Sequence, residues 1–313
     1  PMIQPEILPD ITHAIGNSPL VALDRLTDHL GLSGHILAKC DYLSPGFSKK
    51  DRAALAVIQS ARASGELAEG QTVVELTSGN MGTGLAIVCG IFGHPFIAVM
   101  SEGNSPERAQ MMRALGAEVL LVPQATGARK GEVSGEDLAL VEAAAQQLTR
   151  ERVAFRADQF AHPSNPAAHE QGTAPEIWAQ SKGSVTAFCD FIGSGGTLGG
   201  AARFFARHGV KSYALHPDTP AHPIQGGGYS MPDLAHLKGA PLAGHLTITG
   251  PDAQRYARLL ARHEGIFGGY SAGANLAGAV HLLKTSEKGG TIAIVVCDSG
   301  LKYLSTDLWN AQP

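Results

Sequence analysis

The sequence has no excess of basic side chains, which argues against one class of partner. Only 17% of the 313 residues are charged, and 24 basic side chains stand against 28 acidic ones, for a formal net charge of −4. A nucleic-acid-binding surface needs a basic stripe, so no nucleic-acid partner is expected. A mildly acidic chain can still hold a small anion in a local pocket.

Long apolar runs and clustered cysteines are also missing. No apolar segment approaches the roughly 18 residues that span a bilayer, and residues 1–10 lack the basic and apolar regions of a signal peptide. We therefore expect no membrane partner and a cytoplasmic location. The cysteines are far apart and form no C-x-x-C pair, which disfavours a metal site and a secreted disulfide framework. They are Cys40, Cys89, Cys189 and Cys297.

Apolar runs typical of buried strands alternate with helical patterns. This alternation predicts an α/β protein with parallel sheets flanked by helices and a break near Glu151. In open parallel sheets, ligands bind at the carboxyl ends of strands, so the loops after strands are where chemistry is expected. The predicted strands are 72–76, 96–100, 119–122, 185–192, 211–215 and 291–296, and the predicted helices include 83–93, 136–150, 251–263 and 274–285.

The segment Ser44–Arg52 brings two lysines to the start of a predicted helix. Ser48 is expected as the N-cap, and Asp51 would lie in the first turn. The positive end of the helix dipole disfavours an ammonium group, and a lysine with a lowered pKa can act as an amine nucleophile or Schiff-base former. Alone, the pattern also fits a solvated basic turn, and Lys49 and Lys50 are both candidates.

Two loops between a predicted strand and a predicted helix suit anions. Glu75–Gly82 offers backbone N–H groups, the hydroxyls of Thr77 and Ser78 and the amide of Asn80, which would suit a carboxylate. Gly193–Gly200 has glycines that let the backbone approach a phosphate. It lacks the endings of a P-loop and of a dinucleotide fingerprint, so a phosphate monoester fits best. Each loop could otherwise be a tight turn that uses glycine for backbone reasons.

A fourth segment, Cys297–Thr306, follows the last predicted strand and offers Asp298 and Ser299 to a ligand. Alone it could be an ordinary polar loop. Together, the four segments supply an activated lysine, a phosphate site, an anion site and a polar partner at a strand end. Pyridoxal 5'-phosphate (PLP) needs a Schiff-base lysine, a phosphate site and a partner for its ring nitrogen. The set therefore predicts a PLP site.

These motifs, in this order, resemble the cysteine synthase and cystathionine β-synthase family of PLP enzymes, which have the tryptophan-synthase-β type of fold (fold type II). The resemblance runs from Ile15–Leu20 to Tyr303–Thr306. It implies two α/β domains with PLP in the cleft between them, a smaller one over residues 40–150 and a larger one over residues 1–39 and 151–313. It also implies a homodimer that acts on a small amino acid and a small nucleophile.

The resemblance assigns a role to each motif residue. Ser48–Arg52 matches the family's Ser-x-Lys-Asp-Arg motif, which makes Lys50 the Schiff-base residue. Thr77–Gly82 matches a loop whose asparagine contacts the ring hydroxyl of PLP and whose hydroxyls bind the substrate carboxylate. Ser299 matches the residue that faces the pyridine nitrogen, with Asp298 as the alternative. The implied set is Lys50 for catalysis; Lys50, Asn80, Gly193, Ser194, Gly195, Gly196, Thr197 and Ser299 for cofactor binding; Thr77, Ser78, Gly79, Met81 and Gln159 for substrate binding; and no metal ligand.

The reaction implied by the resemblance is β-replacement. Lys50 holds PLP as an internal aldimine, an O-activated L-serine of the O-acetylserine or O-phosphoserine class displaces it, and the freed amine removes the α-proton. Loss of the leaving group gives an aminoacrylate, to which sulfide or another small nucleophile adds to give L-cysteine or a β-substituted alanine. A β-eliminating serine/threonine dehydratase or cysteine desulfhydrase is an alternative, and a non-catalytic PLP-binding protein is a third.

Several residues depart from the family's pattern. Met81 stands where the family usually has threonine, Phe47 and Lys49 replace smaller or apolar residues beside Lys50, and Tyr270 replaces an aliphatic residue. Neutral drift would explain these differences, and so would an altered donor or acceptor. The sequence therefore leaves the nucleophile open.

Overall fold

The computed structural model describes residues 7–127, 131, 133–220, 222–225, 227 and 233–310. Within these ranges the strands are β1 (Leu20–Ala22), β2 (His35–Lys39), β3 (Val73–Leu76), β4 (Phe96–Ser101), β5 (Glu118–Val122), β6 (Phe155–Arg156), β7 (Ala187–Phe191), β8 (Lys211–Pro217), β9 (Gly244–Ile248) and β10 (Thr291–Val295). The helices are α1 (Asp24–His29), α2 (Lys50–Ser64), α3 (Asn80–Phe92), α4 (Pro106–Ala114), α5 (Gly135–Glu151), α6 (Ser164–Ala168), α7 (Ala174–Gln180), α8 (Gly196–Ala206), α9 (Gly250–Glu264) and α10 (Tyr270–Lys284). A π-helical turn at His169–Thr173 joins α6 to α7.

The strands form two sheets, as the alternating pattern predicts. The larger has the order β1-β2-β10-β7-β8-β9, with β1 antiparallel to β2 and the other pairs parallel. The smaller has the order β5-β4-β3-β6, with all pairs parallel. Every residue of β3, β4 and β7 is buried, as expected for parallel strands covered on both faces.

Helices cover both faces of each sheet, and apolar cores fill the space between. One core joins the larger sheet to α1, α9 and α10, and another joins its opposite face to α7 and α8. In the smaller sheet, α2, α3 and α4 cover one face and α5 the other. No helix in the described ranges is both long and apolar enough to cross a bilayer.

Three predicted boundaries differ from the structure by three or more residues. Helix α3 begins at Asn80 rather than Thr83, and α10 begins at Tyr270 rather than Ala274. Glycines in these first turns weaken the helical pattern, but close packing requires one of them: a Cβ on Gly273 would overlap the Ala253 carbonyl oxygen. Strand β6 pairs with β3 beyond the predicted break, so the chain leaves the smaller sheet later than residue 151.

Candidate functional site

The sequence-predicted segments meet where the carboxyl ends of the two sheets face each other. We call the first cavity there the phosphate-loop cavity; its walls include Lys50, Asn80 and the loop Gly193–Thr197. A second cavity, the Thr77 pocket, is lined by Thr77, Ser78, Met81 and Gln159. Lys50, Asn80 and Ser194 line both cavities. The structure therefore brings together four parts of the chain that are far apart in sequence.

The start of α2 differs from the predicted cap. The residue before the helix is Lys49 rather than Ser48, so the predicted N-cap was wrong by one position. The Ser48 hydroxyl instead accepts a hydrogen bond from the Lys50 backbone N–H at 3.2 Å. The Asp51 carboxylate points back into the preceding loop and accepts from the Gly46 N–H at 2.6 Å. This local structure fixes the position of Lys50 at the first turn of the helix.

The two adjacent lysines have opposite electrostatic environments. Lys49 Nζ donates to both carboxylate oxygens of Asp190, at 3.1 and 3.0 Å, and both residues are buried. Burial opposes the Lys49 ammonium, but the Asp190 charge outweighs it, so the pKa of Lys49 is raised. Burial and the neighbouring Lys49 charge lower the pKa of Lys50 to about 8. Of the two, Lys50 is therefore the lysine that loses its proton more readily.

Ser194 connects Lys50 to the glycine loop. Its hydroxyl lies 3.3 Å from Lys50 Nζ and accepts a hydrogen bond from Asn165 Nδ2 at 3.0 Å. The next residue, Gly195, has a φ of +80°, a conformation that favours glycine. A Cβ on Gly196 would overlap the Asn165 side chain. The loop thus presents bare backbone at the N-terminus of α8, which is a suitable place for a phosphate.

The Thr77 loop is held in place largely by its own hydrogen bonds. Thr77 Oγ1 accepts from the N–H groups of Gly79 and Gly82, each at 2.9 Å. Gly79 has a φ of +132°, and a Cβ there would lie 2.7 Å from the Arg108 side chain. Met81 is buried against the pocket. The hydroxyl hydrogen of Thr77 remains available to donate to a ligand.

A buried carboxylate positions Gln159. Glu75 accepts the Gln159 backbone N–H at 2.8 Å, and its other oxygen accepts Arg156 Nε at 3.0 Å. Burial raises the pKa of Glu75 to about 7, against the opposing effect of Arg156. The Gln159 side chain donates to the Leu76 carbonyl at 3.0 Å, which sets its amide across the Thr77 pocket.

Asn80 is oriented by a buried polar network. Its Nδ2 donates to Asp298 at 2.8 Å, and its Oδ1 accepts from Lys302 Nζ at 2.8 Å. Tyr303 OH donates to the same Asp298 oxygen at 2.7 Å, and Arg108 Nη2 lies 3.5 Å from it. These bonds use the oxygen and one N–H of the Asn80 amide and fix its orientation, so the second N–H is left for a ligand.

Asp298 and Ser299, the two residues proposed from sequence for the ring nitrogen, are not among the residues that line the phosphate-loop cavity. Asp298 is fully buried in the Asn80 network, and Ser299 Oγ accepts the Leu301 N–H at 3.2 Å. Among described residues, Ser271 and Cys297 line the phosphate-loop cavity instead. Sequence reasoning missed Ser271 because the helix pattern was read from Ala274; the signal available was a small polar residue just after two glycines, at the true helix start.

The comparisons with known proteins agree with this geometry. A family model described as "Pyridoxal-phosphate dependent enzyme" matches residues 11–298. A cysteine synthase of Staphylococcus aureus is 34% identical, over 96% of this chain and 97% of that protein.

Solved structures of the same kind are similar throughout. O-ureido-L-serine synthase has a TM-score of 0.87 at 33% identity, covering 98% of this chain and 97% of that one. Cysteine synthase of Entamoeba histolytica has a TM-score of 0.90 at 30% identity, covering 100% of this chain and 94% of that one. The sheet order, the cavity between the sheets and these likenesses together show that the chain belongs to the PLP-dependent enzymes of the cysteine synthase family.

Proposed function

We propose that this enzyme carries out PLP-dependent β-replacement on an O-activated L-serine, with Lys50 as the residue that binds PLP covalently. The observation that carries the proposal is the contrast between the two lysines. Lys49 is a cation paired with Asp190, whereas Lys50 has a lowered pKa and its Nζ lies 3.3 Å from Ser194 Oγ in the glycine loop. Desolvation and a neighbouring cation are two ways in which a lysine amine is activated as a nucleophile.

The cavity residues fit PLP. The bare backbone of Gly195 and Gly196 at the N-terminus of α8 suits its phosphate, with Ser194 and Thr197 supplying hydroxyls. Asn80 Nδ2 has a second N–H for the ring hydroxyl, since its first N–H is bonded to Asp298. For the ring nitrogen we favour Ser271, because it lines this cavity.

The protein residues have distinct tasks in the reaction. PLP supplies the electron sink that makes the α-proton of the amino acid acidic. The freed Lys50 amine removes that proton and returns it at the end of the turnover. Thr77, Ser78 and Gln159 bind the substrate carboxylate in the Thr77 pocket. A hydroxyl rather than a carboxylate at the ring nitrogen would leave that nitrogen largely unprotonated and favour β-elimination chemistry.

Three wider features belong to the same proposal. The division into a smaller domain and a larger one is supported by the two sheets, with the border placed after β6 rather than at residue 150.

The homodimer implied by the family resemblance is testable by light scattering after gel filtration. The cytoplasmic location is testable by fractionation of cells that express the protein.

The experiment that tests the function separates its two halves. O-acetyl-L-serine and O-phospho-L-serine are added to the PLP-loaded enzyme, and release of acetate or phosphate is followed with and without a nucleophile. β-Replacement predicts that a nucleophile yields a β-substituted alanine. Pyruvate as the main product, whichever nucleophile is present, would favour the β-eliminating alternative; one structural relative from Fusobacterium nucleatum is described as a hydrogen sulfide-producing enzyme.

A further inference from the structure

Lys302 is a buried cation behind the reaction site and has no role in the function proposed above. It lies in the turn Gly300–Tyr303, which follows β10, and it is 1% exposed. Its backbone is held on both sides, because its N–H donates to the Ser299 carbonyl at 3.1 Å and its carbonyl accepts the Ser105 hydroxyl at 3.0 Å. A lysine is almost never fully buried unless its ammonium group is paired, so the partners of this group indicate its task.

The Lys302 ammonium group joins the loop before Lys50 to the Asn80 side chain. Nζ donates to the Gly46 carbonyl at 2.8 Å and to Asn80 Oδ1 at 2.8 Å. The Gly46 N–H is in turn bonded to Asp51, the residue that follows Lys50. Asn80 lines both the phosphate-loop cavity and the Thr77 pocket, whereas Lys302 is not among the residues that line either. The contact of Lys302 with a ligand is therefore indirect and passes through Asn80.

The charged side chains around this ammonium group leave it positive at neutral pH. Burial lowers the pKa of Lys302 to about 8, against the opposing charges of Asp298 and Asp51. The charge of Arg108 adds to the lowering. The hydrogen bonds that Nζ donates go to neutral carbonyl oxygens rather than to a carboxylate. The charge of Lys302 is therefore not cancelled at its contact with Asn80.

A cation at the oxygen of an amide strengthens the donors at its nitrogen. The Lys302 charge draws electrons toward Asn80 Oδ1, and hydrogen bonds in such a chain polarise one another. One Nδ2 hydrogen is bonded to Asp298 at 2.8 Å, and the second is left for the ring oxygen of PLP. A stronger donor at that place stabilises an anionic ring oxygen more than a protonated one.

We propose that Lys302 is a positioning residue for PLP, and that its charge, acting through Asn80, holds the ring oxygen of the cofactor in the anionic form. The inference rests on the proposed function, in which Asn80 faces that oxygen. When the oxygen is anionic, the proton stays on the nitrogen that joins Lys50 to the cofactor. The adjoining carbon is then a better electrophile for the amine of the substrate, so Lys302 prepares the cofactor for the first step.

The test separates the charge at position 302 from the hydrogen bond. K302R keeps a cation that can donate to Asn80, whereas K302Q keeps a donor without the charge. The PLP-loaded proteins are compared by visible absorption at neutral pH, because the form with an anionic ring oxygen absorbs at longer wavelength than the protonated form. K302Q should lower the ratio of the long-wavelength band to the short-wavelength band about fivefold, the equivalent of one hydrogen bond. K302R should keep the ratio of the wild type.

Two controls test the route and the specificity of the effect. K288M removes a lysine charge from an exposed position before β10, at the opposite end of that strand from the site, and should leave the ratio unchanged. N80A removes the proposed link, so N80A/K302Q should have the same ratio as N80A. Circular dichroism of each loaded protein shows that it is folded.

A pH titration of the loaded wild type gives a readout that does not depend on the folding of K302Q. The ratio should fall as pH rises beyond 8, where Lys302 loses its proton. The same fall should be absent from K302R, since a guanidinium group keeps its proton. Asp51, whose pKa burial raises to about 6, and Tyr303, whose pKa burial raises well above its ordinary value, do not titrate in this range.

The outcomes distinguish the inference from the function on which it rests. Equal ratios in K302Q and the wild type would overturn the role of Lys302. A ratio in K302R as low as that in K302Q would overturn the role of its charge, as would identical pH profiles for K302R and the wild type. A full effect of K302Q in the N80A background would overturn the route through Asn80. A wild type that shows neither band after reconstitution with PLP would defeat the proposed function itself.

Discussion

Replacing Lys49 by methionine removes one half of a buried ion pair beneath the reaction site. Asp190 is 2% exposed and receives two hydrogen bonds from Lys49, and after the change its remaining side-chain donors are Asn275 Nδ2 at 3.1 Å and the Cys297 thiol at 4.0 Å. Breaking a buried pair in this way costs about 3–5 kcal/mol, because an uncompensated charge remains. We expect K49M to lower the free energy of unfolding, measured by urea denaturation, by that amount.

The double variant K49M/D190N provides the control. It removes both charges and keeps an oxygen at position 190 for Asn275, so it should recover to within about 2 kcal/mol of wild type. If K49M lowered the free energy of unfolding by less than about 1 kcal/mol, the reasoning would be refuted, since the buried charge of Asp190 would then not need Lys49 for its compensation. A double variant no more stable than K49M would refute it as well.

The same substitution has a second effect, on the proton affinity of Lys50. Burial and the Lys49 charge hold the pKa of Lys50 at about 8, below the ordinary lysine value of about 10.4. The fraction of Lys50 that is the reactive free amine therefore increases as pH rises through 8. The rate at which the cofactor-free protein captures PLP should rise with this fraction and then level off. Without the Lys49 charge the pKa of Lys50 rises, so K49M should shift this profile to higher pH. An unshifted profile would contradict the electrostatic account.

Three further substitutions test the site. K50A should abolish turnover while circular dichroism stays that of the wild type; retained turnover would remove Lys50 from the mechanism. G196A places a methyl group against the Asn165 side chain and should weaken PLP binding in equilibrium dialysis by tenfold or more; an unchanged dissociation constant would show that the phosphate binds elsewhere. S271A should weaken PLP binding about fivefold through one neutral hydrogen bond, with a smaller effect in S299A; the reverse order would restore Ser299 as the partner of the ring nitrogen.

Much of the site could be predicted from sequence because its parts are local. The Thr77 and Gly193 loops each join a buried strand to a helix, and parallel sheets bring such loops to one edge. The loop Gly193–Gly200 could be proposed for a phosphate because its glycines let the backbone approach one. The predicted strands recur in the structure, with shifted ends.

The parts that sequence did not reveal depend on distant residues. The ion pair joins Lys49 to Asp190, 141 positions later, and no pattern within either segment indicates it. Ser271 lies at the start of α10 rather than after a strand, so the search for loops at strand ends passed over it.

The most direct measurement of the central claim is to locate the covalent bond to PLP. The purified enzyme is reduced with borohydride, digested, and its pyridoxyl-modified peptide is sequenced by mass spectrometry. The account predicts the modification on Lys50, with Lys49 in the same peptide unmodified. Modification of Lys49 or of any other lysine, or no modification of protein reconstituted with PLP, would contradict it.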